Sequence, residues 1–217
     1  MARIFDNSDI APRNSFGVHQ VAAKIIEFDK SDELPAIFKQ HITGEWMVMG
    51  GGNNILFTRD IERTIIIPCD TTIEVIAEGN QSVDIRVGAG LEWDELVEWC
   101  VERELWGIEN LSLIPGKVGA APVQNIGAYG TEAKEAITSV EMYCPESDNF
   151  ITLAAEHCAF GYRESVFKQT LKGRVIITAV TFRLSKIAKP KLDYGDVCRE
   201  VESRGGATLR NIREAIC

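Results

Sequence analysis

The chain has 217 residues, of which 45% are hydrophobic and 25% are charged, and its formal net charge is −9. This size and composition predict a globular protein of one large domain or two smaller ones, and they exclude a disordered chain. The negative charge argues against broad nucleic-acid binding. No apolar run is long enough to span a bilayer, and no signal-peptide pattern opens the chain. We therefore expect a cytosolic protein that binds neither nucleic acid nor a membrane.

The cysteines and histidines carry no metal or disulfide signature. The six cysteines are widely spaced without a CxxC pair, and the three histidines are scattered. Disulfide frameworks and zinc sites both depend on characteristic spacings. We expect reduced thiols and no metal site.

Residues 1–70 have the pattern of a small α/β unit. The predicted strands are residues 21–28, 45–50, 55–57 and 64–68. A helix is predicted over residues 31–41, because Ser31 is a favourable N-cap and acidic residues follow it in the first turn.

Residues 71–190 have an α+β pattern, and residues 191–217 have a different character. The predicted elements are a hairpin of residues 72–79 and 81–90, an amphipathic helix over 92–106, and strands over 139–144, 149–153 and 174–184. A loop and two helical segments follow. The last helix has its apolar residues at helical spacing up to Cys217, without a glycine cap. We therefore expect the natural chain to continue.

The first candidate binding loop is "MGGGNN", Met49 to Asn54, directly after a predicted strand. Consecutive glycines expose backbone N–H groups that can converge on a phosphate. A flexible turn between two strands explains the same residues. The loop matches neither the dinucleotide fingerprint GxGxxG nor the P-loop GxxxxGK[ST].

The second candidate is "IPGKVGAAPVQNIGAYG", Ile114 to Gly130, which is rich in glycine and alanine. Such a wall can lie flat against a planar ring while a few amides contact the ring's edge. Close packing of two elements also requires small residues. Two glycine-rich loops able to meet one elongated ligand favour a dinucleotide. Under that interpretation, valine at Gly119 is expected to abolish ligand retention in a folded protein.

The third candidate is "FGYRES", Phe160 to Ser165. Arg163 could hold a substrate carboxylate in a two-bond fork and stabilise nearby negative charge. A surface ion pair between Arg163 and Glu164 is the simpler explanation of the hexapeptide taken alone.

Four segments in this order and spacing resemble the UDP-N-acetylenolpyruvoylglucosamine reductase family: "NSFGV", "MGGGNNILF", "LSLIPGKVGAAPVQNIGAYG" and "FGYRESVFK". The resemblance covers nearly the whole chain. It implies an α+β, two-subdomain FAD-binding fold of the vanillyl-alcohol-oxidase/PCMH type. The subdomains would be residues 1–70 and 71–190, with residues 191–217 leading to a substrate-binding domain outside this chain.

The resemblance also assigns site residues. It implies that FAD is bound by residues of the two glycine-rich loops and of the long strand near residue 177. These implied cofactor-binding residues are Gly50, Gly51, Gly52, Asn53, Asn54, Pro115, Gly116, Gly119, Ala120, Ala121, Gln124, Asn125, Gly127, Ala128, Tyr129, Gly130 and Ile177. The implied substrate-binding residues are Tyr162, Arg163 and Tyr194, and Arg163 is also the implied catalytic residue. A solvent-facing aromatic remains the alternative for Tyr194.

The implied reaction is the reduction of UDP-N-acetylglucosamine enolpyruvate to UDP-N-acetylmuramate, with NADPH as co-substrate and FAD bound non-covalently. The expected setting is bacterial peptidoglycan synthesis, and with it cell-wall biogenesis, cell shape and cell division. In the family, a serine and a glutamate of the third domain supply the proton, so we expect this chain to bind FAD as a monomer without complete catalysis. Another FAD-dependent oxidoreductase of the same fold and a non-catalytic nucleotide-binding module remain alternatives.

Overall fold

The computed structural model describes residues 1–217 and contains two large β-sheets, one from each half of the chain. The elements of the first half are β1 Arg3–Asp9, β2 Val21–Phe28, α1 Leu34–His41, β3 Trp46–Val48 and β4 Ile61–Pro68. The strand order in this sheet is β1-β2-β4-β3. β1 is antiparallel to β2, whereas β2 and β3 both run parallel to β4.

Strand β4 is covered on both faces, which explains its unbroken apolar run. Ile65 packs with Ile25 in a cluster on one face, and Ile66 packs with Ile26 in a cluster on the other. Successive side chains of a strand point to opposite faces, so a strand buried on both sides is continuously hydrophobic.

Helix α1 covers one of these faces. Residues 31–33 form a single 3₁₀ turn, and the α-helix begins at Leu34 with Pro35 in its first turn, where a missing N–H is harmless. Leu34 and Ile37 are buried in the cluster that contains Ile66. The predicted helix is present, but its first turn is 3₁₀.

The second half of the chain forms a five-stranded antiparallel sheet in the order β10-β9-β11-β6-β5, together with a small two-stranded ladder, β7-β8. The elements are β5 Ile73–Glu78, β6 Ser82–Gly88, α2 Trp93–Glu102, β7 Gly127–Ala128, β8 Thr131–Glu132, β9 Ile137–Cys144, β10 Asn149–Ala154 and β11 Ile176–Ser185. The largest core cluster of the protein lies between helix α2 and this sheet.

Trp93 is the largest fully buried side chain of that core. Its ring lies 5.9 Å from the ring of Phe182 on β11, and its Nε1 donates a 2.8 Å hydrogen bond to the carbonyl of Leu111. A buried indole needs such a partner for its N–H. Trp93 therefore attaches helix α2 both to the sheet and to the chain that enters the glycine-rich stretch.

The two sheets share a hydrophobic cluster. Tyr143 of β9 and Ile176 of β11 are buried together with Ile26 and Ile66 of the first sheet. The ring of Phe38 on α1 lies 5.6 Å from that of Tyr143. The two halves therefore pack directly against each other at one end of their interface.

Two helices end the chain, α3 Val197–Ser203 and α4 Leu209–Ile216. Val201 and Ile212 are buried in a cluster with Trp106. Arg213 of α4 donates hydrogen bonds of 2.6 and 2.8 Å to the two carboxylate oxygens of Asp94 on α2. These contacts hold the C-terminal helices against the second half. No helix is long and apolar enough to cross a membrane.

Helix α2 ends earlier than the sequence pattern predicts. The N–H of Leu105 donates to the carbonyl of Cys100 and that of Glu104 donates to Val101, with distances of 2.9 and 3.2 Å. This pair of bonds is a Schellman motif, in which Glu104 occupies the left-handed C′ position with φ 56°. The helix end was missed because glutamate stands where glycine is the usual signal. Trp106 then pairs with Ser185 of β11.

One predicted strand is absent, and one strand was not predicted. Residues 55–57 pair with no strand, although Phe57 is buried in the cluster that contains Ile65. Strand β1 was not predicted, because its mostly polar sequence "RIFDNSD" lacks a clear alternation. It is held instead by pairing with β2 and by the ion pairs of Arg3 with Glu27 and Asp29.

Candidate functional site

A cavity of about 490 Å³ lies between the two sheets. Its size is typical of a small-molecule site. The two glycine-rich loops face each other across it, and the beginning of β11 forms part of its wall. The lining includes these predicted cofactor-binding residues: Gly50, Gly51, Gly52, Asn53, Asn54, Pro115, Gly116, Gly119, Ala120, Ala121, Gln124 and Ile177. We call this cavity the interdomain cleft.

The loop of residues 50–54, which lines the interdomain cleft, has unused backbone hydrogen-bond donors. None of its five backbone N–H groups donates to another group of the protein, although Gly52 is a buried residue. Buried N–H groups without an acceptor are rare in folded proteins. The loop is therefore suited to bind an anion through its main chain.

Gly52 has a structural reason to be glycine. Its φ is 65°, and a Cβ atom there would lie 2.3 Å from the carbonyl oxygen of Arg13. The N–H of Ser15 donates a 3.3 Å hydrogen bond to the carbonyl of Gly52. The turn after β1 thus supports the back of the loop, whose N–H groups remain free.

Gly50 differs, because a Cβ atom there would point across the interdomain cleft. It would meet the side chains of Lys117 and Ala120 at 3.5–3.8 Å, which are ordinary contact distances. A larger side chain at residue 50 would therefore fill the space between the two walls without striking the backbone.

In the opposite wall, formed by the glycine-rich stretch Ile114–Gly130, some of the small residues are required for close packing. A Cβ atom at Gly119 would lie 2.6 Å from the Cβ of Ala89, and the Gly119 N–H already donates to the Ala89 carbonyl at 3.0 Å. The alternative explanation, close approach of two elements, therefore applies to Gly119. Valine at this position is expected to disturb the fold, which corrects the expectation of a folded protein that only loses its ligand.

Asp94 holds the beginning of this wall. Its Oδ1 accepts a 2.7 Å hydrogen bond from the N–H of Leu113, whose φ is 57°, in addition to the bond from Arg213. The hydrogen bonds from Arg213 and then that from Leu113 lower the pKa of the Asp94 carboxyl, against the effect of burial. The ion pair between α2 and α4 therefore also supports the entrance to the glycine-rich stretch.

The charged residues that line the interdomain cleft are all cationic: Arg63, Lys117 and Lys172. Arg63 and Lys117 pair with Glu45 and Glu92 outside the lining, at 2.6 and 2.5 Å, while Lys172 has no ion-pair partner. In a chain of net charge −9, this local excess favours an anionic ligand. Sequence reasoning missed Arg63 and Lys172, since isolated cations in separate segments form no motif. Lys117 stands within the stretch Ile114–Gly130 but was not named as a site residue.

A side-chain hydrogen bond joins the two walls. The Asn54 side chain donates a 3.2 Å hydrogen bond to the side-chain oxygen of Gln124. Both residues were predicted from separate loops 70 positions apart, and the structure brings them together.

The remaining predicted residues do not line the interdomain cleft. Gly127, Tyr129, Gly130, Arg163 and Tyr194 form an adjacent surface that we call the rim. Arg163 has a φ of 54°, and its guanidinium donates only a long, 3.4 Å bond to the carbonyl of Gly127. The Tyr129 ring meets the Tyr194 ring edge-on with centroids 5.9 Å apart. Ala128 lies on the short strand β7 beside the rim.

Tyr129 and Gly130 have a local structural role. They are the two central residues of the hairpin turn between β7 and β8, with φ values of 46° and 76°. A two-residue hairpin turn of the I′ type requires positive φ at both positions. This turn presents the Tyr129 side chain at the rim.

Arg163 does not pair with Glu164, which was the simpler explanation of "FGYRES". The Glu164 carboxylate instead accepts the N–H of Ser165 at 3.2 Å. Tyr162 points away from the protein and is 86% exposed, and Tyr194 is 57% exposed. The guanidinium of Arg163 and the two tyrosines are therefore accessible to a ligand.

Asn125 lies behind the rim and contacts neither surface. Its side chain is 1% exposed, its Nδ2 donates to the Gly161 carbonyl at 2.9 Å, and its Oδ1 accepts the N–H of Lys134 at 2.9 Å. Both ends of the amide are thus used within the protein. This side chain holds the turn that carries Arg163.

Comparison with known proteins gives the family. Residues 23–149, more than half of the chain, match the FAD binding domain family. The chain belongs to the FAD binding domain family. This FAD binding domain is similar to proteins named UDP-N-acetylenolpyruvoylglucosamine reductase from Bacteroides fragilis and Neisseria gonorrhoeae, with 44% and 41% identity over 94% and 96% of the chain. It spans only 61% and 62% of the length of these relatives.

Solved structures agree on the fold of this FAD binding domain. The Thermus caldophilus UDP-N-acetylenolpyruvylglucosamine reductase matches 99% of the chain and 68% of its own, with a TM-score of 0.70 at 23% identity. A solvent-stable cholesterol oxidase matches 85% of the chain and 38% of its own, with a TM-score of 0.59 at 11% identity. The predicted resemblance and the α+β, PCMH-type fold class are confirmed.

Proposed function

We propose that the interdomain cleft binds FAD non-covalently. The observation that carries this proposal is the row of free N–H groups at residues 50–54, opposite a wall of small residues. The N–H groups and the cations Arg63, Lys117 and Lys172 would hold the pyrophosphate, and the small residues around Ala120 would lie against the ring system. The lining contains no histidine or cysteine to which a flavin could be attached covalently.

We further infer that the 217 residues are the flavin-binding part of an NADPH-dependent reductase of UDP-N-acetylglucosamine enolpyruvate. Support comes from relatives of that name at 38–44% identity over nearly the whole chain. Bound FAD would carry hydride from NADPH to the enolpyruvyl double bond. The same proposal includes a cytoplasmic location, a monomer, and roles in peptidoglycan synthesis, cell shape, cell cycle and cell division.

In this proposal, the rim contacts the substrate. The exposed guanidinium of Arg163 makes a single long bond to the protein, so its other N–H groups are free to grip the enolpyruvyl carboxylate. Negative charge develops beside that carboxylate when the double bond is reduced, and a fixed cation stabilises it. Tyr162 and Tyr194 would flank the substrate.

The FAD proposal is tested by Gly50→Val, because this side chain would narrow the interdomain cleft without a backbone collision. We expect FAD to bind about tenfold more weakly or worse, because overpacking of this kind costs about 1–3 kcal/mol. The flavin fluorescence should therefore be quenched less at a given protein concentration. The measurement is a titration followed by flavin fluorescence, with a denaturant midpoint to verify folding.

Gly44→Val is the matched control. Gly44 lies in an exposed loop, and a Cβ atom there would meet nothing within 4 Å. We expect this variant to bind FAD like the wild-type chain. Equal affinity of Gly50→Val and Gly44→Val for FAD would contradict the assignment of the interdomain cleft. Absence of FAD binding by the wild-type chain would favour a non-catalytic module with another ligand.

A further inference from the structure

Residues 186–196 connect β11 to α3 and carry Tyr194, yet few bonds hold the segment. Near its beginning, the N–H of Lys186 donates to Gln81 at 2.8 Å, and at its end that of Val197 donates back to Tyr194 at 3.2 Å. Ile187 bonds with the side chain of the adjacent Ser185 at the end of β11, at 2.8 and 3.0 Å. Beyond it, the only hydrogen bonds between these points and the rest of the protein are made by Lys191. Its side chain pairs with Glu135, and its carbonyl accepts a bond from Asn110.

Asn110 joins this segment to the rim. It is 1% exposed, in a 3₁₀ turn that follows helix α2. Its Nδ2 donates to the carbonyl of Tyr129 at 3.0 Å and to that of Lys191 at 2.8 Å. Both protons of one amide are thus shared between the hairpin turn of the rim and the segment that carries Tyr194.

The joined segments meet in an aromatic contact. The rings of Tyr129 and Tyr194 are 5.9 Å apart at 85°. At Gly130, a Cβ atom would lie 3.6 Å from the Cβ of Tyr194. The position of Tyr194 therefore depends on how closely residue 191 is held to the turn at residues 129–130.

We propose that Asn110 is a positioning residue that holds Tyr194 in the rim by binding the carbonyls of Tyr129 and Lys191. The proposal rests on the proposed function, in which Tyr194 flanks the substrate. Asn110 itself is buried and touches no ligand. It affects substrate binding only by fixing the position of Tyr194.

No other side chain of similar shape can replace this amide. Aspartate would direct a carboxylate oxygen at two carbonyl oxygens, and leucine would leave both carbonyls without a donor. Loss of the two bonds should raise the population of the detached segment roughly 5- to 30-fold. The rate at which a protease cleaves a transiently opened segment rises in proportion to the population of the open form.

Trypsin reports the detachment directly, because the Lys191–Leu192 bond contains the carbonyl that Asn110 binds. We expect Asn110→Asp to accelerate this cleavage roughly 5- to 30-fold, while cleavage after Lys172, in a distant turn, keeps its wild-type rate. Asn149→Asp is the control, since Asn149 is exposed and its amide contacts only Ser147.

If Asn110→Asp does not fold, Asn110→Ser removes the same donors with a neutral, smaller side chain. Wild-type rates at Lys191 in the folded variant would overturn the proposal.

A double-mutant cycle shows whether Asn110 acts through Tyr194. UDP-N-acetylglucosamine enolpyruvate is titrated into the FAD-loaded full-length reductase, because this chain spans about 61% of the length of its relatives, and binding is followed by the flavin absorbance. We expect Asn110→Asp and Tyr194→Ala to weaken substrate binding singly, and the double variant to be no weaker than Tyr194→Ala. Independent, additive losses would overturn the positioning role. Failure of the wild-type protein to bind this substrate would count against the proposed function, while the trypsin result would still decide whether Asn110 holds the segment.

Discussion

Glycine occurs in the interdomain cleft for two different reasons. At Gly119 a Cβ atom would collide with Ala89, whereas at Gly50 it would meet the side chains of Lys117 and Ala120 at ordinary contact distances. Both residues belong to glycine-rich motifs, and no sequence pattern separates them. Only the surroundings of the absent Cβ show that Gly119 serves close packing, whereas Gly50 faces the side chains of the opposite wall of the interdomain cleft.

Arg163→Lys should separate the two halves of the proposed reaction. FAD binding depends on the loops of the interdomain cleft, whereas Arg163 lies in the rim. Lysine keeps the charge but loses the planar fork that orients a carboxylate. We expect unchanged FAD binding and reduction by NADPH, and substrate-dependent flavin reoxidation that is slower by about 10²–10³.

The measurement is anaerobic stopped-flow absorbance of the flavin, made on the full-length reductase because this chain spans about 61% of the length of its relatives. Arg174→Lys is the control, since Arg174 is exposed and pairs with Glu146 away from the rim. Equal slowing of both half-reactions, or no slowing of reoxidation, would mean that Arg163 has only a structural role.

Besides its buried side chains, helix α4 is held by one ion pair that also supports the cleft wall. The Asp94 and Arg213 side chains are 30% and 16% exposed, so their two hydrogen bonds are partly shielded from water. We expect Asp94→Asn to lower the free energy of unfolding by about 1.5–3 kcal/mol at pH 7. Asp29→Asn, at the exposed pair with Arg3, should change it far less, because solvent screens an exposed ion pair.

The effect of Asp94 should depend on pH. Its folded-state pKa is lowered, chiefly by Arg213, so its contribution is complete above the unfolded-state pKa of about 3.9 and is lost as pH falls through the lower folded value. Denaturant unfolding from pH 7 down to about pH 3 should show the wild-type chain and Asp94→Asn converging at the acid end. A difference that stays constant over this range would contradict the assignment.

The elements that could be predicted from sequence are those whose pattern and packing agree. Strand β4 is an apolar run because it is buried on both faces, and the hairpin of β5 and β6 has its turn residues in place. The early end of α2 could not be predicted, because Glu104 takes a backbone conformation for which glycine is the usual signal. Strand β1 could not be predicted because it is held by its neighbour and by ion pairs.

The loops of the candidate site could be predicted from sequence, but the spatial arrangement of their residues could not. The resemblance named residues of one continuous stretch, and the fold divides them: Gln124 lines the interdomain cleft, Asn125 is enclosed, and Tyr129 reaches the rim. The cations Arg63 and Lys172 come from opposite halves of the chain, and they line the same cavity only because the two sheets pack together. These relations depend on long-range packing, which no local pattern encodes.

The arrangement of the whole molecule makes the interdomain cleft the meeting place of both halves. The first sheet contributes five unpaired N–H groups at residues 50–54, and the second contributes the small-residue wall and the rim. The shared cluster around Tyr143 holds the halves together at one side. FAD would therefore bind to both halves at once, and its phosphates would engage main-chain groups that no other part of the protein uses.

Hydrogen–deuterium exchange of the chain with and without FAD measures that engagement most directly. The account predicts that the amides of Gly50 to Asn54 exchange rapidly in the free chain and become strongly protected when FAD is bound. Amides of the exposed loop around Gly44 should exchange equally in both states. Tight FAD binding that leaves residues 50–54 unprotected would contradict the central claim that these N–H groups hold the cofactor.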